Sequence, residues 1–139
     1  MITLSRSQVV GAELIDDDMI RFNGIQEDHI YGMEVRMDVR ISSGEILTIE
    51  GWMKRYTTPI CPKAVEVWKQ AVGMCLREES WEQQIVRKIG RKGCEHFAEI
   101  IIECGRCLDQ ARMANDLEEA IKADAALDQH QFTNDWLER

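Results

Sequence analysis

Hydrophobic and polar residues alternate along much of the first 55 residues. Between Val35 and Ile41 every second residue is apolar and the residues between them are charged, which is the pattern of a half-buried strand. The alternation stops at Ser42-Ser43-Gly44 and resumes from Ile46 to Trp52. A three-residue loop with glycine in the left-handed conformation is a common hairpin connection. The predicted hairpin pairs apolar with apolar residues, Val39 with Leu47 and Met37 with Ile49.

A second hairpin is predicted upstream. The segments from Val9 to Ile15 and from Met19 to Phe22 have the character of strands, and Asp16-Asp17-Asp18 lies between them. Aspartates between two apolar runs are typical of a turn. The N-terminal half therefore predicts an antiparallel sheet.

After Pro59 the apolar residues recur with a period of about 3.6, which predicts helices in the second half. Pro62 suits the first turn of a helix, because its missing N–H would have no partner there in any case. An apolar face then continues as far as Leu76. A further helix is predicted to begin near Gly93-Cys94 and to carry an apolar face as far as Ala111.

Capping signals predict two more helical segments. Ser80-Trp81-Glu82-Gln83 resembles a capping box that opens a short helix through Ile89, and Gly90 is a natural C-cap. Asn115 or Asp116 is predicted to cap a fourth segment.

Strands precede helices along the chain, so the predicted fold class is α+β, an antiparallel sheet from the N-terminal half covered by C-terminal helices. We predict a single α+β domain over residues 1–115 and a C-terminal helical extension over residues 116–139. The extension is polar at its end but holds Phe132, Trp136 and Leu137. We expect it to pack on the domain or on a partner, and a homodimer through this segment is one option.

Composition narrows the function classes. The chain has 139 residues, which fits one domain, and a net charge of −8 with only short basic runs. Because proteins that bind nucleic acid neutralise phosphates with clustered Lys and Arg, we expect no nucleic-acid partner. No apolar run approaches the ~20 residues of a membrane span, and no signal peptide is visible. We therefore expect no membrane association and a cytoplasmic location.

Five cysteines in such a chain argue against a disulfide framework and for thiols that are buried, metal-bound or reactive. Cys61 and Cys94 each stand at a predicted helix start, where the partial positive charge of the helix lowers a thiol pKa. We therefore expect both thiols to favour the thiolate. His96 lies two residues after Cys94, and His29 lies in a polar loop before the long strand. Together these four residues match the tetrahedral N/S preference of zinc.

Cys104-Gly105-Arg106-Cys107 is a C-x-x-C motif. Redox dithiols of the thioredoxin kind lie at a helix N-terminus, whereas this motif falls well inside a helical pattern. In a continuous helix Cys104 would lie roughly 15 Å from Cys94, too far to share a metal ion. We expect two cysteines that face the core, with Gly105 marking either a tight contact with a neighbouring helix or a break after Cys104.

These residues, in this order, resemble a bacterial family described as domain of unknown function 2889. The likeness rests on an early histidine before a strand (His29), on Pro59-Ile60-Cys61, and on Gly93-Cys94-Glu95-His96-Phe97 before an apolar helix. It covers about residues 4–112 and implies no activity, but it favours joint action of Cys61, Cys94 and His96. A looser likeness, at the level of fold only, is to iron–sulfur scaffold proteins.

Three hypotheses follow. The first is a metal-binding domain in which His29, Cys61, Cys94 and His96 hold zinc, or alternatively an iron–sulfur cluster. The second is an enzyme with Cys94 or Cys61 as nucleophile and His96 or His29 as base. Since residues two apart on a helix do not face each other, His29 is the better base for Cys94. The third is a non-catalytic interaction module. Substrate and reaction do not follow from the sequence.

Overall fold

Four antiparallel strands form one sheet in the order β1-β2-β3-β4. The computed structural model describes Met1 and residues 3–139, and Ile2 and the side chain of Val65 lie outside that description. The strands are β1 (Arg6–Asp16), β2 (Met19–Asp28), β3 (Gly32–Arg40) and β4 (Ile46–Arg55). Helical segments follow the strands from Cys61 onward, joined by turns, so the predicted α+β class is confirmed.

Both predicted hairpins are present, but the register of the hairpin formed by β3 and β4 differs from the prediction at one end. Met37 faces Ile49 as predicted, and Gly44 has the left-handed φ of +75°. Val39, however, faces Ile46 rather than Leu47, because the register shifts between Asp38 and Val39. The shift turns Ile46 into the core, where it is fully buried opposite the fully buried Val39.

One face of the sheet carries the core. Along β2 every second side chain is buried, whereas no residue of the edge strand β1 is buried. A methyl group on Gly51 of β4 would lie 2.5 Å from the ring of Trp68, so a helix rests directly on this strand. That helix spans Cys61–Ala71 and is a 3-10 helix.

The remaining helical segments follow one another along the chain with short connections. They are α1 (Trp81–Ile85), a π-helical turn (Val86–Gly90), α2 (Glu95–Arg106), α3 (Leu108–Ala123) and α4 (Gln129–Leu137). Phe97 of α2 packs against Trp68 with ring centroids 4.6 Å apart and an interplanar angle of 87°. This edge-to-face contact fixes α2 against the 3-10 helix, since aromatic pairs prefer that geometry.

Several helix boundaries differ from the prediction. The apolar face after Pro62 ends at Ala71, because Val72 is extended and about half exposed. Ser80 makes no capping hydrogen bond through its side chain. Gly90 has no positive φ and does not cap an α-helix. It ends a π-helical turn, because the Arg91 N–H group donates to the Val86 carbonyl, which is one residue further back than in an α-helix.

The capping residues near the C-terminus also differ. No helix begins at Asn115 or Asp116, because α3 continues through both. The cap lies instead at Asp128, whose carboxylate accepts hydrogen bonds from the N–H groups of His130 and Gln131 at the start of α4.

The chain divides into two compact units, Met1–Gly105 and Arg106–Arg139. The predicted boundary at 115/116 falls within α3. Within the second unit, the indole N–H of Trp136 donates to Asp116 at 2.9 Å, and the Arg112 guanidinium lies 5.7 Å from the Trp136 ring. These contacts join α3 to α4. The homodimer through this segment stays a prediction.

Across Met1 and residues 3–139, no helix combines the length and the apolar character needed to cross a membrane.

Candidate functional site

A cavity of about 300 Å³ lies within the first unit, beside the 3-10 helix and the start of α2. Three of the four predicted site residues line it: Cys61, Cys94 and His96. Its other lining residues are Tyr31, Met33, Met53, Thr58, Ile60, Lys63, Ala64, Val67, Lys92 and Gly93. The volume is at the lower end of the range for small-molecule pockets.

Cys61 is the first residue of the 3-10 helix, and Thr57 and Thr58 lie three to four residues before it. The Thr58 hydroxyl lies 3.3 Å from the Cys61 sulfur and the Thr57 hydroxyl 3.9 Å from it. A hydroxyl that donates to sulfur favours the thiolate. Hydrogen bonds from Thr58, and more weakly from Thr57, therefore lower the pKa of the Cys61 thiol below its ordinary value. This agrees with the direction predicted for a thiol at a helix start.

Cys94 is in the opposite situation. It immediately precedes α2, and its carbonyl accepts the hydrogen bond from Ala98 N–H at 3.2 Å. Burial raises the pKa of the Cys94 thiol and outweighs the opposing backbone hydrogen bonds from Phe97 and His96. The prediction that both thiols favour the thiolate is therefore wrong for Cys94, because desolvation exceeds the benefit of the helix start.

His96 connects Cys94 to the first strand. Its Nδ1 atom lies 4.0 Å from the Cys94 sulfur, and its Nε2 atom lies 3.5 Å from Nη2 of Arg6. A guanidinium can only donate, so Nε2 of His96 is the acceptor in the contact with Arg6.

A turn held by Asp28 places an aromatic ring on His96. The Asp28 carboxylate accepts hydrogen bonds from Ile30 N–H at 2.7 Å and Tyr31 N–H at 2.6 Å, and it pairs with Arg6 at 3.0 Å. These contacts, the backbone of Tyr31 first, lower the pKa of Asp28 to about 2. The Tyr31 and His96 ring centroids lie 4.6 Å apart, so the turn forms one side of the cavity.

His29 belongs to the same turn but does not line the cavity, and its side chain is exposed. The side chain that this turn contributes to the cavity is Tyr31. Thr58 and the two lysines of the cavity were also missed. Thr57-Thr58 next to Pro59-Ile60-Cys61 was the available signal for the hydroxyls, whereas nothing local marked Tyr31.

A metal-binding geometry is not assembled here. Among the described residues, no three Cys, His, Asp or Glu side chains lie close enough together to hold one ion. Cys94 and His96 approach to 4.0 Å, and Cys61 faces the same cavity. The ligand set that includes His29 stays a prediction.

No residue of the C-x-x-C motif is among the described residues that line this cavity. Cys104 is fully buried on α2, where a methyl group on Gly24 of β2 would meet its sulfur at 2.8 Å. Gly105 marks the tight contact predicted for it, since a methyl group there would lie 2.6 Å from the Trp81 ring. Cys107 is half-buried between α2 and α3. Cys104 is thus a packing residue of the first unit.

No curated protein and no solved structure matches the chain. The model of the family described as protein of unknown function (DUF2889) matches residues 7–110, a span that contains the whole cavity. The chain therefore belongs to the DUF2889 family.

Proposed function

We propose that this protein binds a small molecule in the cavity and that the thiolate of Cys61 adds to an electrophilic carbon of that molecule, while the π bond at that carbon breaks and its electron pair takes up a proton. The observation that carries the proposal is that an accessible thiol of lowered pKa faces a cavity of about 300 Å³. A thiolate is the nucleophilic form of cysteine, and reactive cysteines lie in partly exposed environments that stabilise it.

The neighbouring groups have distinct roles in this proposal. The hydroxyls of Thr57 and Thr58 stabilise the thiolate, so Cys61 needs no histidine base. Cys94, with its raised pKa, stays protonated at neutral pH and is available as a proton donor beside the bound molecule. His96 and Tyr31 hold the wall around Cys94 in place.

Site-resolved alkylation tests the proposal. Iodoacetamide at neutral pH should modify Cys61 faster than any cysteine of the urea-unfolded chain, as read by peptide mass mapping. Cys61→Ser should abolish the fast phase, and Cys75→Ser, a half-buried cysteine that does not line the cavity, should keep it. The proposal fails if Cys61 reacts no faster in the folded than in the unfolded chain.

A metal centre is the second candidate, and the 4.0 Å approach of Cys94 and His96 favours it. Zinc would bind these two ligands together with the Cys61 sulfur, and the Cys61 side chain would have to move toward them within the cavity. An iron–sulfur cluster is the alternative. His29 would become the fourth ligand if the turn after β2 rearranged, and otherwise an open position would remain for water.

Elemental analysis separates the two candidates. Protein purified without an affinity tag should contain near-stoichiometric zinc or iron if the metal centre exists, and Cys94→Ser should lose it while Cys75→Ser keeps it. A bound metal would also make Cys61 slow to alkylate until a chelator is added. Preparations without metal in all three proteins would rule out the metal centre.

A further inference from the structure

Two lysine side chains line the cavity, although the chain as a whole is acidic. The whole sequence has 25 Asp and Glu against 17 Lys and Arg. The charged side chains that line the cavity are nevertheless Lys63 and Lys92, and no carboxylate is among the described lining residues. Within the described part of the chain neither ammonium group forms an ion pair, whereas Lys69 on the same 3-10 helix pairs with Glu66 at 2.8 Å. Among the described lining residues, the lysine and arginine side chains therefore outnumber the carboxylates, two to none.

The rest of the lining is largely apolar. Met33 of β3 is almost fully buried, and its pairing partner on the neighbouring strand β4 is Met53. Val67 and Ala64 add aliphatic surface from the 3-10 helix. Methionine is flexible and polarizable, so it adapts to apolar or aromatic groups of varied shape. Apolar side chains and two lysines thus line the same small cavity.

We infer that the ligand of this cavity is a small organic anion, with an apolar body against Met33 and Met53 and a carboxylate or phosphate near Lys63 and Lys92. The inference rests on the proposed function in one respect only, that the anion is presented to Cys61. Positive groups around a cleft with low-dielectric walls attract anions and raise their local concentration. The same groups exclude cationic ligands.

Two reagents of nearly equal size but different charge test the inference at Cys61. Iodoacetate is an anion and iodoacetamide is neutral, and both alkylate the same thiolate. The rate ratio at Cys61 is the labelling rate with iodoacetate divided by the labelling rate with iodoacetamide. Comparing this ratio between the folded and the unfolded chain measures the attraction of the anion alone. Any change in the thiolate population cancels, because it affects both rates equally.

The folded protein should show a ratio several-fold above that of the unfolded chain, and added salt should reduce it because salt screens exposed charges. The double substitution Lys63→Gln and Lys92→Gln should return the ratio to the unfolded value. Lys69→Gln, which removes a cation from the same helix outside the cavity, should leave the ratio unchanged. A ratio that is equal in the wild-type protein and the double variant overturns the inference.

Failure of the inference and failure of the proposed function remain distinguishable. Fast iodoacetamide labelling with no preference for iodoacetate keeps the nucleophile and removes the anionic ligand. Slow labelling by both reagents removes the nucleophile, and the anion is then tested by direct binding.

Direct binding uses benzoate, phenyl phosphate and benzyl alcohol, followed by NMR chemical shifts of the methionine methyl groups. At least one of the two anions should shift the Met33 and Met53 signals at concentrations where benzyl alcohol does not, and the double variant should lose this difference. Comparing the two anions identifies carboxylate or phosphate as the preferred group. Equal binding of benzyl alcohol and both anions contradicts the inference.

Discussion

Cys61 and Cys94 face the same cavity from two corners with opposite surroundings. At the Cys61 corner, residues 57–61, two hydroxyls approach an accessible sulfur and the thiol pKa is lowered. At the Cys94 corner, residues 93–96, the sulfur is partly buried and burial raises the thiol pKa. Both cysteines stand at helix starts, so the difference teaches that burial and nearby hydroxyls, not position on a helix, determine which thiol ionises.

Packing explains why the corners differ. Trp68, near the far end of the 3-10 helix, lies in the core between Gly51 and Phe97. This anchor leaves Cys61, at the other end of the same helix, outside the core. Cys94 instead directly precedes the buried stretch of α2 that begins at Phe97, and it shares the desolvation of that stretch.

The largest expected effect comes from disturbing this anchor. A methyl group in Gly51→Ala would lie 2.5 Å from the Trp68 ring and 2.8 Å from the Glu34 carbonyl, so the helix must move. We expect a loss of about 1–3 kcal/mol in the free energy of unfolding, as for other overpacked sites. Urea denaturation measures it. Gly11→Ala on β1, with nothing within 4 Å, is the control and should change stability by less than about 1 kcal/mol.

If Gly51→Ala is as stable as Gly11→Ala, the 3-10 helix is not held by the Trp68 contact and the packing explanation is wrong.

A smaller effect is expected from the hydroxyls. Thr58→Val removes the closest hydroxyl from the Cys61 sulfur, so the thiol pKa should rise and iodoacetamide labelling at neutral pH should slow several-fold. Thr58→Ser keeps the hydroxyl and should keep the rate. Thr57→Val should have the weaker effect, since that hydroxyl is 3.9 Å away. Equal rates in Thr58→Val and wild-type protein would show that the hydroxyl does not stabilise the thiolate.

The smallest effects concern stability against pH, and they should have opposite signs at the two corners. Because the Cys94 pKa is raised on folding, the unfolded chain loses that proton first, and stability falls as pH rises above about 8.5. Because the Cys61 pKa is lowered, its stabilisation is present above about pH 8.5 and is lost as pH falls through the folded pKa.

Differences between wild-type protein and the single variants isolate each thiol. The stability advantage over Cys94→Ser should shrink as pH rises above about 8.5, and the advantage over Cys61→Ser should grow as pH rises toward about 8.5. Urea denaturation in the presence of a reductant measures both. Differences of the same sign at the two cysteines would contradict the comparison.

The strands were predictable because the alternation of apolar and polar residues is a local signal. The sheet then pairs the apolar residues with each other, as Met37 opposite Ile49 shows. The shift that brings Ile46 opposite Val39 was not predictable from the hairpin alone. The Ile46 backbone exchanges hydrogen bonds with Met74 and Gly73, nearly thirty residues away. Tertiary contacts of this kind override local register.

The site was predictable in part for the same reason. Cys61, Cys94 and His96 were predicted as site residues because they stand next to helix starts, which are visible in sequence, and all three line the cavity. Tyr31 lines the cavity and His29 does not, and the Asp28 carboxylate fixes this turn by accepting hydrogen bonds from two successive N–H groups. The raised pKa of Cys94 depends on burial, which only the folded chain shows.

The most direct test of the central claim is the pH dependence of iodoacetamide labelling at Cys61 and Cys94, followed in the same sample by peptide mass mapping. The structure predicts that labelling of Cys61 reaches half of its maximal rate at a lower pH than that of an ordinary cysteine, about 8.5, and labelling of Cys94 at a higher one. The reverse order, or one shared midpoint, would contradict the assignment of Cys61 as the nucleophile.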